Sequence, residues 1–94
     1  MHVRWLRAAL TNLDHEAEYI ARDDPNAAAR TVRRIAIAVD RLAAHPASGH
    51  IGRVPGTREL VVSGTAYIVP YRVRGETVEI LRVFHAARKW PEQF

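Results

Sequence analysis

The sequence predicts an α+β domain, a helical hairpin packed on a small antiparallel sheet in the order β-α-α-β-β-β. Three observations carry that prediction. Apolar residues recur every three or four positions through the first half and alternate every second position through the last third, and a stretch rich in glycine and proline separates the two regimes. With 94 residues, 48% of them apolar, the chain suffices for one modest core, so residues 1–94 are read as a single domain.

Val3-Arg4-Trp5 reads as a short first strand. Leu6, Leu10, Leu13, Ala17 and Ile20 then follow at alternating spacings of four and three, the stripe of an amphipathic helix over about residues 7–22. Asp23-Asp24-Pro25 stops that helix and starts the next: Asp24 can cap exposed amides, and Pro25 fits the first helical turn, where its missing N–H is harmless. So tight a connection makes the two helices an antiparallel hairpin. The second helix repeats the stripe with Ala28, Val32, Ile35, Val39 and Leu42 and ends at His45-Pro46. Arg30, Arg33, Arg34 and Arg41 fall mainly on its other sides and read most simply as a solvated face.

From Pro46 to Gly56 no period survives, and the segment reads as a loop between the helical half and the sheet half. Glu59-Leu60-Val61-Val62 forms the second strand. In the third, Tyr67, Val69, Tyr71 and Val73 share one face while Ile68, Pro70, Arg72 and Arg74 share the other. Arg74-Gly75-Glu76-Thr77 makes a hairpin turn, Gly75 being free to take a positive φ. In the fourth strand Val78, Ile80, Arg82 and Phe84 alternate against Glu79, Leu81, Val83 and His85.

Thirteen arginines and one lysine against ten acids give a net charge of +4. Residues 1–46 contribute +1 and residues 47–94 contribute +3, so the excess lies with the strands. That balance permits an acidic partner, nucleic acid or polypeptide, without choosing between them. Cysteine is absent, which excludes disulfides and thiolate metal sites and fits a reducing cytoplasm. No long apolar run is present and the start lacks a signal-peptide pattern, so secretion and membrane insertion are not expected. His45 and His50 lack companions at a metal-ligand spacing, and no phosphate loop or nucleophile elbow occurs, so neither metal nor cofactor is expected.

The strand wording is specific in its order. Trp5-Leu6, Leu13-Asp14, Tyr19-Ile20-Ala21, Val54-Pro55-Gly56-Thr57-Arg58-Glu59, Tyr67-Ile68, Tyr71-Arg72-Val73 and the run from Val78 through His85-Ala86-Ala87-Arg88-Lys89-Trp90-Pro91 together resemble the RelE/ParE toxin superfamily across essentially the whole chain. The resemblance implies the toxin of a type II toxin–antitoxin system, growth-inhibiting and plasmid-stabilising, neutralised by a cognate antitoxin in a higher-order complex. RelE-like members cut messenger RNA on the ribosome, whereas ParE-like members are described as poisons of DNA gyrase. Ribonuclease members have lysines in the second strand, an arginine after the aromatic of the third and another past the fourth. In this chain the second strand has no lysine, and Ile68 and Ala86 occupy the two arginine positions. Cleavage through a 2′-hydroxyl needs a proton acceptor, a proton donor and cations for the phosphorane, none of which an apolar side chain supplies. The resemblance therefore points to the ParE-like branch, with gyrase as target and no enzymatic activity.

The residues expected to bind target or antitoxin are Arg58, Arg72, Arg74, Arg82, Arg88, Lys89 and Trp90. Arg82 also has a structural reading, paired with Glu59 or Glu79 across the sheet. Trp90, with Pro91 and Phe94, is expected either to fold back on the core or to offer a partner an aromatic anchor. One alternative is an mRNA endonuclease acting with the ribosome, using His85 as acid or base with Arg58, Arg82 and Glu59. Another is an attenuated toxin that only binds its antitoxin.

Overall fold

Asp24 starts the second helix as its chemistry requires. Its Oδ1 accepts the Ala27 N–H at 3.0 Å, with Pro25 in the first helical turn. The computed structural model describes residues 1–94. In chain order it runs β1 (His2–Trp5), α1 (Arg7–Ala21), α2 (Pro25–Asp40), a 3-10 turn (Arg41–Ala43), β2 (His50–Ile51), β3 (Arg58–Val61), β4 (Tyr67–Arg74), β5 (Thr77–Ile80) and β6 (Phe84–His85). The expected α+β class holds, with the helical hairpin on one face of a six-stranded sheet.

The sheet order is β1-β5-β4-β3-β2, with β6 also on β4. It is mixed, not wholly antiparallel, because β1 runs parallel to β5 from His2 opposite Thr77 to Trp5 opposite Ile80. Side-chain alternation is the same in either direction, so the pattern carries no information about strand polarity. The two-residue β2 lies inside the stretch read as a loop. It pairs with Arg58 and Glu59, and the connection is closed by Gly52 N–H on Thr57 O at 2.8 Å.

The strand expected from Val78 to His85 is interrupted. Ile80 lies opposite Tyr71 and Phe84 opposite Ile68, so three residues, Leu81 to Val83, face two on β4. That extra residue is a β-bulge, and it shifts the alternation by one. Val78, Ile80 and Val83 enter the core, whereas Arg82 and Phe84 do not share their face as the unbroken pattern implied. The Val83 N–H, left without a strand partner, donates to Asn12 Oδ1 of α1 at 3.1 Å.

The core is built by Ile35, Val39 and Leu42 against Val62, Val69, Tyr71, Val78 and Ile80. From α1 only Ala9 is fully buried, with Leu13 and Ile20 flanking, while Leu10 of the predicted stripe stands 47% exposed. Leu13 and Ile20 keep their expected places in the stripe, and only Leu10 gives way, with the small Ala9 at the point of packing. At the β4–β5 turn Gly75 takes φ of 56°, the left-handed value a two-residue hairpin turn favours. No helix is long and apolar enough to cross a membrane.

Tyr71 ties the loop to the sheet. Its hydroxyl donates to Pro46 O at 2.7 Å and accepts the Gly49 N–H at 2.9 Å. Gly49 has no room for a side chain, since a Cβ there would lie 2.6 Å from the Tyr71 ring. Tyr71→Phe keeps the ring but orphans both backbone groups. It is expected to lower stability by about 1–3 kcal/mol, read from the urea midpoint at unchanged slope.

Candidate functional site

The face of the sheet away from the helices is organised around two carboxylates. Glu79 lies opposite Arg72 on one side and Arg4 on the other. Arg72 Nε reaches Glu79 Oε1 at 2.6 Å and Arg74 Nε at 3.8 Å, and the Arg72 hydrogen bond, with these neighbouring charges, holds the carboxyl below its ordinary value despite partial burial. Glu59, 3% exposed, lies opposite Pro70. Burial pushes its pKa up, but Arg53 more than compensates, and the net result is a carboxyl held below its ordinary 4.5. Arg53 supplies its backbone N–H at 2.8 Å, Nε at 3.0 Å and Nη2 at 3.2 Å, while His50 Nε2 lies 3.3 Å away.

The C-terminal segment covers this arrangement. The Arg53 guanidinium stacks on Trp90 at 3.6 Å from the ring centroid, and the Trp90 indole N–H donates to His85 O at 3.3 Å. Phe84 contacts both Trp90 and Phe94, with centroids at 4.9 and 5.9 Å. Of the two readings open for Trp90, the structure takes the fold-back, leaving the residue 8% exposed. Arg82 lies beside Phe94 and donates to Leu81 O, and it pairs with neither Glu59 nor Glu79, which other cations already occupy.

The expected binding residues therefore divide. Arg72, Arg74 and Arg82 belong to the outer face. Arg58 sits opposite Tyr71, whose ring is in the core, so it points to the helix side, where Nη1 donates to Gly49 O at 2.8 Å. Arg88 binds Glu16 of α1 at 2.6 Å, and Lys89 is exposed with no bonded partner. Glu16 also accepts the Tyr67 hydroxyl at 2.9 Å, and the Tyr67 ring meets His85 edge-on at 5.5 Å. Burial and the Glu16 carboxylate push the Tyr67 phenol up to about 12.

The alternative nuclease set does not converge. His85 is opposite Tyr67 and Arg58 opposite Tyr71, four positions apart on β4, which is about 13 Å along a strand. Glu59 and Arg82 lie on the other face. Pattern reading missed Arg53, Glu16 and Asn12, whose partners are 6, 51 and 71 residues away in sequence. The one usable signal was an arginine in an otherwise uncharged loop, six residues before the glutamate in the following strand. No cluster of three or more histidine, aspartate or glutamate side chains placed to hold a metal ion forms.

Comparison with known proteins matches residues 3–90 to the family described as the ParE toxin of the type II toxin–antitoxin system parDE. Y4kP of Sinorhizobium fredii, a toxin by name, is 53% identical over 96% of this chain and 93% of its own. Toxin RelE2 of Caulobacter vibrioides is 38% identical over 92% of this chain and 96% of its own. A chain of the chromosomal ParDE TA system from P. aeruginosa superposes with a TM-score of 0.81 at 31% identity, covering 90% of this chain and 95% of that one.

Because the Glu59 pKa is lowered by folding, its interactions contribute stability that is present above its ordinary 4.5 and lost as pH falls through the depressed value. Wild type is therefore expected to lose stability on acidification below about pH 5 more steeply than Glu59→Gln, a comparison read from urea midpoints across the acid range.

Proposed function

The chain belongs to the ParE toxin family of type II toxin–antitoxin systems, and from that premise we infer that it arrests growth by holding a macromolecular target, DNA gyrase, without cutting RNA. A cognate antitoxin neutralises it by covering the toxin in a larger complex. The observation that carries the binding reading is the outer face: Arg72, Arg74 and Arg82 stand on a surface pinned by two buried carboxylates and a folded-back aromatic segment. Such a surface presents fixed cations to an acidic region of a partner with little ordering on binding.

The same geometry argues against strand scission. Ile68 pairs with Phe84 beneath the aromatic segment, and Ala86 is engaged through its backbone with Ala66 O at 2.8 Å. These are the two positions at which the resemblance expects arginine in ribonucleases. Attack on a phosphodiester needs acid, base and cation around one scissile bond, and His85, Arg58, Glu59 and Arg82 are dispersed over two faces.

One observation favours a second reading. Tyr67, His85, Glu16 and Arg88 gather a phenol, an imidazole, a carboxylate and a guanidinium at the α1 side, and the Caulobacter relatives carry the RelE name. A phenol raised to about 12 is a poor proton acceptor near neutrality, and Glu16 is already engaged by two donors, so this set ranks second.

Purified chain is expected to inhibit gyrase supercoiling in proportion to the toxin added and to leave message on translating ribosomes intact. Cleaved message with unaffected supercoiling overturns the gyrase reading. His85→Ala separates the two at the residue level: growth arrest is expected to persist, whereas a histidine-dependent nuclease would lose about 10²–10⁴-fold in cleavage.

A further inference from the structure

At one end of the sheet β4 outruns its neighbour: β3 begins at Arg58, opposite Tyr71, whereas β4 continues to Arg74. The Leu81 N–H donates to Pro70 O and the Val62 N–H to Tyr67 O. The alternation therefore turns the Arg72 and Arg74 backbone groups toward β5 and those of Tyr71 and Val73 toward the β3 side. The Val73 N–H and C=O point past the start of β3. The turn ahead of β3 does not reach them, because the Thr57 N–H donates to Val54 O at 3.2 Å and Thr57 O accepts the Gly52 N–H at 2.8 Å. Both Val73 groups are left without a backbone partner. Here lies a notch of about 390 Å³, between that turn, the end of β4 and the C-terminal segment. Val54, Leu81 and Phe94 give it an apolar lining, and Arg72 and Arg74 bring charge from the outer face. Those two arginines share one acid, Glu79, and Arg82, beside Phe94, bonds only a carbonyl. Three guanidiniums against one carboxylate leave an excess of positive charge beside the notch.

We propose that the notch receives an extended acidic segment of the target protein, one residue of which pairs through its backbone with Val73 while a neighbouring carboxylate meets Arg74. The inference rests on the reading of this chain as a gyrase-binding toxin and names the contact and its chemistry. Strand alternation sets the order of residues. The one opposite Val73 shares the face on which the Val73 side chain is 41% exposed, and in an antiparallel pairing the one before it lies beside Arg74 on the outer face. An aliphatic residue preceded by an acidic one therefore fits, the aliphatic side chain leaving water against Val73 and the carboxylate pairing with a guanidinium. Phosphate groups of a nucleic acid would engage the arginines, but they cannot donate to the Val73 C=O and they leave the apolar lining exposed.

Two probes test the assignment with the full chain: purified gyrase, and a short synthetic peptide alternating glutamate with valine. The peptide is expected to shift backbone amides at residues 54–57 and 72–74. Its N-methylated form, which cannot donate to the Val73 C=O, is expected to bind about tenfold or more weakly. Val73→Pro removes an N–H that has no partner in the free chain, a strand position at which proline is tolerated. That variant and, separately, Arg74→Gln are expected to weaken gyrase inhibition by about tenfold or more, while Arg30→Glu, on the exposed side of α2, inhibits as wild type. Thermal unfolding of each variant separates lost binding from lost folding. Amide shifts confined to other residues, equal binding of the N-methylated peptide, or displacement of the peptide by a single-stranded oligonucleotide overturns the proposal. Full inhibition of gyrase by both folded variants overturns the notch and leaves the gyrase reading standing. Unaffected supercoiling with wild-type chain overturns the gyrase reading itself, and the occupant assigned to the notch falls with it.

Discussion

A carboxylate buried under a single arginine, Glu59 beneath Arg53, is the contact on which the outer half of the molecule depends. A strand side chain with 3% exposure cannot carry a charge unless hydrogen bonds replace its water, and here one residue donates from backbone, Nε and Nη2. Glu59 takes the in-plane N–H edge of the guanidinium, and a flat face of the same group supports Trp90. One arginine therefore joins the loop before β3, the centre of the sheet and the C-terminal segment, and in a chain of 94 residues such a tie substitutes for a second core layer. The helices cover only one face, and the rest is covered by paired charge and a short aromatic tail.

What was legible in the sequence is local. Asp24 and Pro25 specify a helix start within a few residues, and the alternation through Tyr67, Val69 and Tyr71 specifies a half-buried strand, so both were readable without a fold. Features that require knowing which segment lies beside which were not. The polarity of β1 is set by the helical hairpin that returns the chain beneath the sheet, and the burial of Ala9 in place of Leu10 is set by how closely α1 approaches its neighbours. Arg53 looked like one more loop arginine because its partner becomes buried only when β3 is placed between β2 and β4.

The candidate site was legible to the same degree. Sequence marked Arg58, Arg72, Arg74, Arg82 and Arg88 as one basic region, which they are in composition. Strand alternation then divides them, sending Arg58 to the helix side with its bonds to the loop carbonyls and leaving Arg72 and Arg82 outside. Charge counted along a chain is blind to face, and the face decides which cations a partner can meet together.

The extra residue between Ile80 and Phe84 has a further effect through parity. With an even ladder, Arg82 would fall in step with Val78 and Ile80 and its guanidinium would be driven among Ile35 and Leu42, where no acid waits for it. The odd count spares the core that ion and launches the chain's final stretch from the opposite surface. A single deletion there would leave two residues facing two and keep Phe84 opposite Ile68, whereas a regular ladder with every residue kept would turn the end of the polypeptide inside out.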